Sequence, residues 1–143
     1  MTVNMILSHK GSDVFTIEPT ATLKAAIDTL AARRVGALVV LGPDQRVIGI
    51  LSERDIVRAL AEQGAAALSE PLAKVMTRKV IGCSQSETIA SLMGRMTTGK
   101  FRHLPVIEQD RLLGIVSIGD VVKHRLMEME QESAALRDYI QSA

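Results

Sequence analysis

The chain has 143 residues, 47% of them apolar, which is enough to bury one compact core or two small ones. Aromatics are only 2%, with no Trp, and 17 basic against 16 acidic residues leave a net charge of +1. That balance argues against a chain that coats nucleic acid, and stacking platforms for single strands are nearly absent. A single cysteine, Cys83, excludes an internal disulfide and any multi-cysteine zinc site.

The opening MTVNMILSHKG has neither a basic leader nor a long apolar run, so no secretory signal is expected there. No segment approaches the roughly 18 uninterrupted apolar residues of a membrane span. A soluble, cytoplasmic protein is the expectation. Val14-Phe15-Thr16-Ile17 predicts a short strand stopped by Pro19. Leu23, Ala26, Ile27, Leu30 and Ala31 then share one face of a helix, with Thr20 placed to cap it. ALVVL and VIGIL predict two strands around the turn GPDQ, and a second helix opens at Ser52-x-x-Asp55.

The same order is then written again. Val14 falls on Val80, Ile17 on Cys83, Thr20 on Ser86, Leu23 on Ile89 and Ile27 on Met93. HLPVI and LLGIV flank the turn EQD, and GILSERD returns as GIVSIGD, Gly114 to Asp120. Each copy of about sixty residues predicts strand, helix, strand, strand, helix. Neither copy could bury its sheet alone, so two halves packed face to face about a pseudo-twofold axis are expected. Ile118 to Ala143 predicts one long helix with a stripe of Val122, Leu126, Met129, Leu136 and Ile140. That stripe either covers the chain's own core or meets a partner subunit.

Two readings of Ser52-x-x-Asp55 and Ser117-x-x-Asp120 are open. Each is a capping box, in which serine caps the helix and the acid returns to the backbone. Each could also form a ligand site, because a helix N-terminus attracts anions and a nearby aspartate can accept both hydroxyls of a ribose. The preceding glycines would admit a ligand close to the backbone. Among the basic residues, Arg34 recurs as Lys100 and Arg58 as Lys123, which makes them candidate phosphate contacts. Arg54, Arg102 and His103 are single-copy additions. His9, His103 and His124 have no metal-site spacing, Cys83 reads as a buried inert thiol, and no catalytic motif is present.

The two Gly-h-h-Ser-x-x-Asp stretches, with TIEPTATLKAAIDTL, RRVGALVV and RHLPV in order, closely resemble a tandem pair of cystathionine β-synthase (CBS) domains, a Bateman module. The resemblance covers about Met5 to Lys123. It implies an α+β fold of two β-α-β-β-α repeats with clefts for AMP, ADP, ATP, NAD(H) or S-adenosylmethionine as regulatory ligand. By the same resemblance, Asp55 and Asp120 hold ribose, Ser52 and Ser117 touch ribose or phosphate, and Thr16, Ile17 and Ile81 lie near adenine. Gln85 stands where Pro19 stands in the first copy, and Gly82 where Thr16 does, so the copies are expected to differ. The expected layout is repeat 1 over 5–63, a linker over 64–74, repeat 2 over 75–125 and a helical extension over 126–143. The expectation is a stand-alone, non-catalytic homodimer that signals nucleotide occupancy to a protein partner. A ligand-free interaction scaffold is the alternative, and DNA binding through RHLPV and KHR a third that the charge balance opposes.

Overall fold

A computed structural model of the chain describes residues 1–11 and 14–142. The elements run α1 (Val3–Lys10), β1 (Thr16–Ile17), α2 (Leu23–Arg33), β2 (Ala37–Leu41), β3 (Val47–Ser52), α3 (Glu53–Gln63), α4 (Ile89–Gly99), β4 (His103–Glu108), β5 (Arg111–Ser117) and α5 (Ile118–Ser142). Two short 3-10 turns, Gly64–Ser69 and Leu72–Lys74, join the copies. The chain is a mixed α+β fold of two tandem repeats ending in a long helix; Ala143, included in the expected helix, lies outside the described residues.

The residues divide into two compact units, each with its own core. One comprises residues 14–81 and the tip of the β4–β5 hairpin, 108–112. Its sheet has the order β1-β2-β3, with β1 parallel to β2 and β3 antiparallel, Ala37 facing Ser52 and Leu38 facing Leu51. Ala37 to Val40 are all buried, as suits a strand covered on both faces. Leu23, Ala26 and Leu30 of α2 pack with Leu38, Leu51, Ile56 and Leu72. The segment expected to link the repeats is therefore part of this core, with Ala67 and Leu72 wholly buried.

The other unit comprises residues 1–11, 82–107 and 113–142. Strands β4 and β5 pair through a turn in which Gln109 and Asp110 both have positive φ, 51° and 63°, as the tightest hairpins require. Val3, Ile6 and Leu7 of α1 are buried here with Ile89, Leu92, Met96, Leu104, Val106, Val116 and Val121. Helix α1 overlaps the start of the sequence segment assigned to repeat 1, yet it packs with the second copy.

Three local expectations are corrected. The first helix of each copy is capped by Thr22 and Thr88, not Thr20 and Ser86, because Thr22 Oγ1 accepts the Ala25 N–H and Thr88 Oγ1 the Ser91 N–H. Thr20 and Ser86 sit in the preceding turns. The second copy has no first strand, only a parallel bridge between Cys83 and Val106. Gly82 lacks a side chain to favour a strand, and its carbonyl accepts from Arg95 Nη2 at 2.8 Å.

The third concerns Gly49 and Gly114, whose open faces are filled by protein. A Cβ on Gly49 would meet Met76 Sδ at 2.5 Å and the Thr77 carbonyl at 3.1 Å; one on Gly114 would meet Leu7 Cδ2 at 2.7 Å. Gly114→Val should therefore destabilise the chain by about 1–3 kcal/mol through overpacking. Urea denaturation checks this, and an unchanged midpoint would show that Leu7 moves aside freely.

Candidate functional site

Strands β3 and β5 each end in a serine at which a helix begins. Ser52 Oγ accepts the Asp55 N–H at 3.4 Å, and Asp55 Oδ2 accepts the Ser52 N–H at 3.0 Å. Ser117 Oγ accepts the Asp120 N–H at 3.1 Å, and Asp120 Oδ2 accepts the Ser117 N–H at 2.9 Å. Both boxes are thus reciprocal caps. The first helical amides are engaged as well: Glu53 N–H donates to the Gly36 carbonyl and Ile118 N–H to that of Arg102. The helix N-termini offer an anion fewer N–H groups than the sequence suggested.

The two carboxylates differ in what else they hold. Asp55 is 5% exposed, and both its oxygens are engaged. Oδ2 also accepts from Ser52 Oγ at 3.2 Å, Oδ1 accepts from Thr77 Oγ1 at 3.0 Å, and Arg58 Nη1 stands 3.8 Å from Oδ1. The Asp120 side chain is 25% exposed, and its Oδ2 accepts from Lys10 Nζ at 2.7 Å. Among the described residues, no hydrogen bond to Asp120 Oδ1 is found. Burial pushes the Asp120 carboxyl up, but hydrogen bonds from Lys10 and Ser117, with the Lys10 charge, hold it below its ordinary value.

One turn beyond Asp120, His124 is buried, its ring 5.2 Å from that of His9 on α1. Its Nδ1 has no hydrogen-bond partner among the described residues. Burial lowers the His124 imidazole, the His9 and Lys123 charges lower it further, and Asp120 opposes them. The folded chain therefore resists a proton that the unfolded chain accepts, and stability falls as pH drops below about 6.5. The depressed Asp120 carboxyl acts with the same sign at lower pH, since its contribution is lost as pH falls below about 4. Urea midpoints at neutral pH and near pH 5.5 check the first step. His124→Leu should flatten it, and an equal drop in that variant would place the cause elsewhere.

The other residues singled out from the sequence lie on several elements of the two units. Arg34 and Lys100 both occupy left-handed C-caps, with φ of 55° and 57°, at the ends of α2 and α4. A cation there complements the helix dipole, so their recurrence has a local cause beside any ligand. Arg34 also borders an open groove of about 720 Å³ between α2 and α3, with Ile27, Val35, Glu53, Val57 and Leu60. Thr16 and Ile17 border a different recess of about 420 Å³ with Gly42 and Pro43. Ile81, Arg54, Arg102 and Lys123 are exposed, and His103, half-buried, begins β4.

Two residues were not found by sequence reasoning: Thr77 and Lys10, the partners of Asp55 and Asp120. No local pattern joins either to its aspartate. Among the described residues, no group of three or more His, Cys, Asp or Glu could hold a metal ion. No helix there is long and apolar enough to cross a membrane.

Comparison with known proteins adds to this geometry. The CBS domain family matches residues 8–62 and 72–126. A mitochondrial CBS domain-containing protein of Arabidopsis thaliana, CBSX3, is 36% identical over 84% of this chain and 60% of its own length. An uncharacterized 17.7 kDa protein of Acidianus ambivalens is 34% identical over 77% of this chain and 66% of its own. The chain thus spans somewhat less than two thirds of these curated relatives. A crystal structure of a CBS-domain containing protein from Agrobacterium tumefaciens is similar at TM-score 0.84 and 48% identity, covering 87% of this chain and 92% of that one. The CBS domain pair of protein MJ0100, crystallised with 5′-methylthioadenosine and S-adenosyl-L-methionine, shares the fold at TM-score 0.78 and 23% identity, covering 91% and 98%.

Proposed function

The chain belongs to the CBS-domain family as a tandem pair, and from that premise we propose that it is a non-catalytic regulatory module for adenosyl ligands. The observation that carries this reading is the second Ser-x-x-Asp box. Asp120 presents a partly exposed, ionised carboxylate at the head of α5, with no hydrogen bond to its Oδ1 found among the described residues. Such a group accepts hydrogen bonds from a ribose diol, and each charge-assisted bond is worth roughly 1.5–3 kcal/mol. The adenosyl compounds bound by the MJ0100 pair support the choice of ligand.

In this reading Asp120 accepts the ribose hydroxyls and Ser117 flanks them. Asp55 does the equivalent in the first copy only if it gives up Thr77. Arg34, Lys100, Arg54, Arg58, Lys123, Arg102 and His103 are the candidate phosphate contacts, and Thr16, Ile17 and Ile81 the candidate adenine contacts. Calorimetry with AMP, ATP, NADH and S-adenosylmethionine against GMP and GTP tests it. Binding of an adenosine compound in preference to the guanine nucleotides is expected. No heat from any adenosine compound at millimolar concentration would contradict it.

A second reading, a ligand-free scaffold, draws on the saturation of Asp55 and on the glycines covered by Met76 and Leu7. Both readings include self-association. Val122, Leu126, Met129, Leu136 and Ile140 on α5 are all exposed, so the stripe does not cover the chain's own core. A homodimer using this helix is expected by light scattering at roughly tens of micromolar, with weaker association when the chain ends at Arg125. A full-length monomer would contradict it.

A further inference from the structure

The aspartates of the two copies are held by partners of different kinds. In the first copy, Thr77 lies along β3 in a bridge to Ile50. Its N–H donates to the Ile50 carbonyl at 2.9 Å and its Oγ1 to Asp55 Oδ1 at 3.0 Å. In the second copy the residues in register with Ile50 and Asp55 are Ile115 and Asp120. There a single side chain supplies both bonds: Lys10 Nζ donates to the Ile115 carbonyl at 3.0 Å and to Asp120 Oδ2 at 2.7 Å.

Thr77 is fixed by backbone hydrogen bonds in both directions to Ile50. Lys10 reaches from the last turn of α1 on a flexible stem, and its side chain is 32% exposed. Asp120 Oδ2 already accepts the Ser117 N–H, so with Lys10 its two lone-pair positions are filled. A diol held by both oxygens of one carboxylate needs an acceptor position on each. Among the described residues no hydrogen bond fills Oδ1, whereas Oδ2 gains a position only when Lys10 leaves.

We propose that Lys10 is a built-in competitor for the ribose-binding carboxylate of the second copy and sets the affinity of that site. The inference rests on Asp120 being the ribose acceptor. Displacement is easy, because a half-exposed ion pair stabilises little; its removal is equivalent to a change of about fivefold in affinity. Binding also removes the Lys10 hydrogen bonds from α1 to β5 and α5, leaving the apolar packing of α1 in place, so ligand occupancy in this copy changes how the N-terminal helix is held.

Two measurements test it, with adenosine as the probe because it carries no phosphate that a cation could attract. Lys10→Met should bind adenosine about fivefold more tightly than the unsubstituted chain, and Lys10→Arg, which keeps the ion pair, should not. In the unsubstituted chain, acetylation of Lys10 read by mass spectrometry should increase when adenosine saturates the protein, the reverse of ordinary ligand protection. Unchanged or weaker binding by Lys10→Met, or a Lys10 amine protected by adenosine, would overturn the competitor role. Asp120→Ala binding adenosine as tightly as the unsubstituted chain would instead remove the ribose reading beneath it, so the two failures are distinguishable.

Discussion

Asp55→Ala is expected to lower the unfolding free energy by about 3 kcal/mol or more, well beyond the ~1 kcal/mol typical of a lost helix cap. The carboxylate accepts hydrogen bonds from the Ser52 N–H, Ser52 Oγ and Thr77 Oγ1, and Arg58 stands 3.8 Å away. Truncation removes the N3 half of the capping box and deprives the Ser52 N–H and the Thr77 hydroxyl of their acceptor in a part-buried setting. Each such unsatisfied group costs roughly 1–3 kcal/mol. Thr77→Val removes one bond while keeping the shape, and should cost about 1 kcal/mol. Urea denaturation of both variants measures this, and a loss below about 1 kcal/mol for Asp55→Ala would show that the network contributes little.

Asp120→Ala should act differently. Its carboxylate is partly exposed and held by Lys10 and the Ser117 N–H, so the stability loss should stay near the ~1 kcal/mol of a cap. Adenosyl affinity in the second copy should instead fall by about tenfold to a hundredfold, the equivalent of a charge-assisted hydrogen bond. Calorimetry with S-adenosylmethionine or AMP reads the effect. A variant that melts much earlier yet binds normally would make Asp120 a structural cap like Asp55.

The contrast between these residues was only partly legible in the sequence. The boxes themselves were, because Ser and Asp three residues apart meet across one helical turn whatever surrounds them. The strands ALVVL, VIGIL, HLPVI and LLGIV were legible for the same reason: their apolar runs and turn residues act locally. The caps of α2 and α4 lie two residues beyond the expected positions because candidate hydroxyls alternate there, Thr20 with Thr22 and Ser86 with Thr88, and only the turn geometry selects Thr22 and Thr88. The second copy's first strand was expected by analogy with β1, but Gly82 and the Arg95 hydrogen bond leave a single bridge there.

Helix α1 was the larger omission. Val3, Ile6 and Leu7 carry the spacing of a buried helical face, but over a segment too short for its periodicity to stand out. Its destination could not be read at all. Nothing near Lys10 in the sequence indicates that it meets Asp120, and nothing near Gly114 indicates that Leu7 covers it. Close-approach glycines say that something comes near, not what. The ligand reading of those glycines failed because chain segments distant in sequence fill the space.

Recognition of a ribose diol in the second copy is tested most directly by comparing adenosine with 2′,3′-dideoxyadenosine in calorimetry, using the unsubstituted chain and Asp120→Ala. The two ligands share a base and differ only in the hydroxyls that the carboxylate would accept. Adenosine should bind the unsubstituted chain at least about tenfold more tightly than its dideoxy analogue, and Asp120→Ala should abolish the difference. Equal affinity of the unsubstituted chain for both compounds would contradict the account.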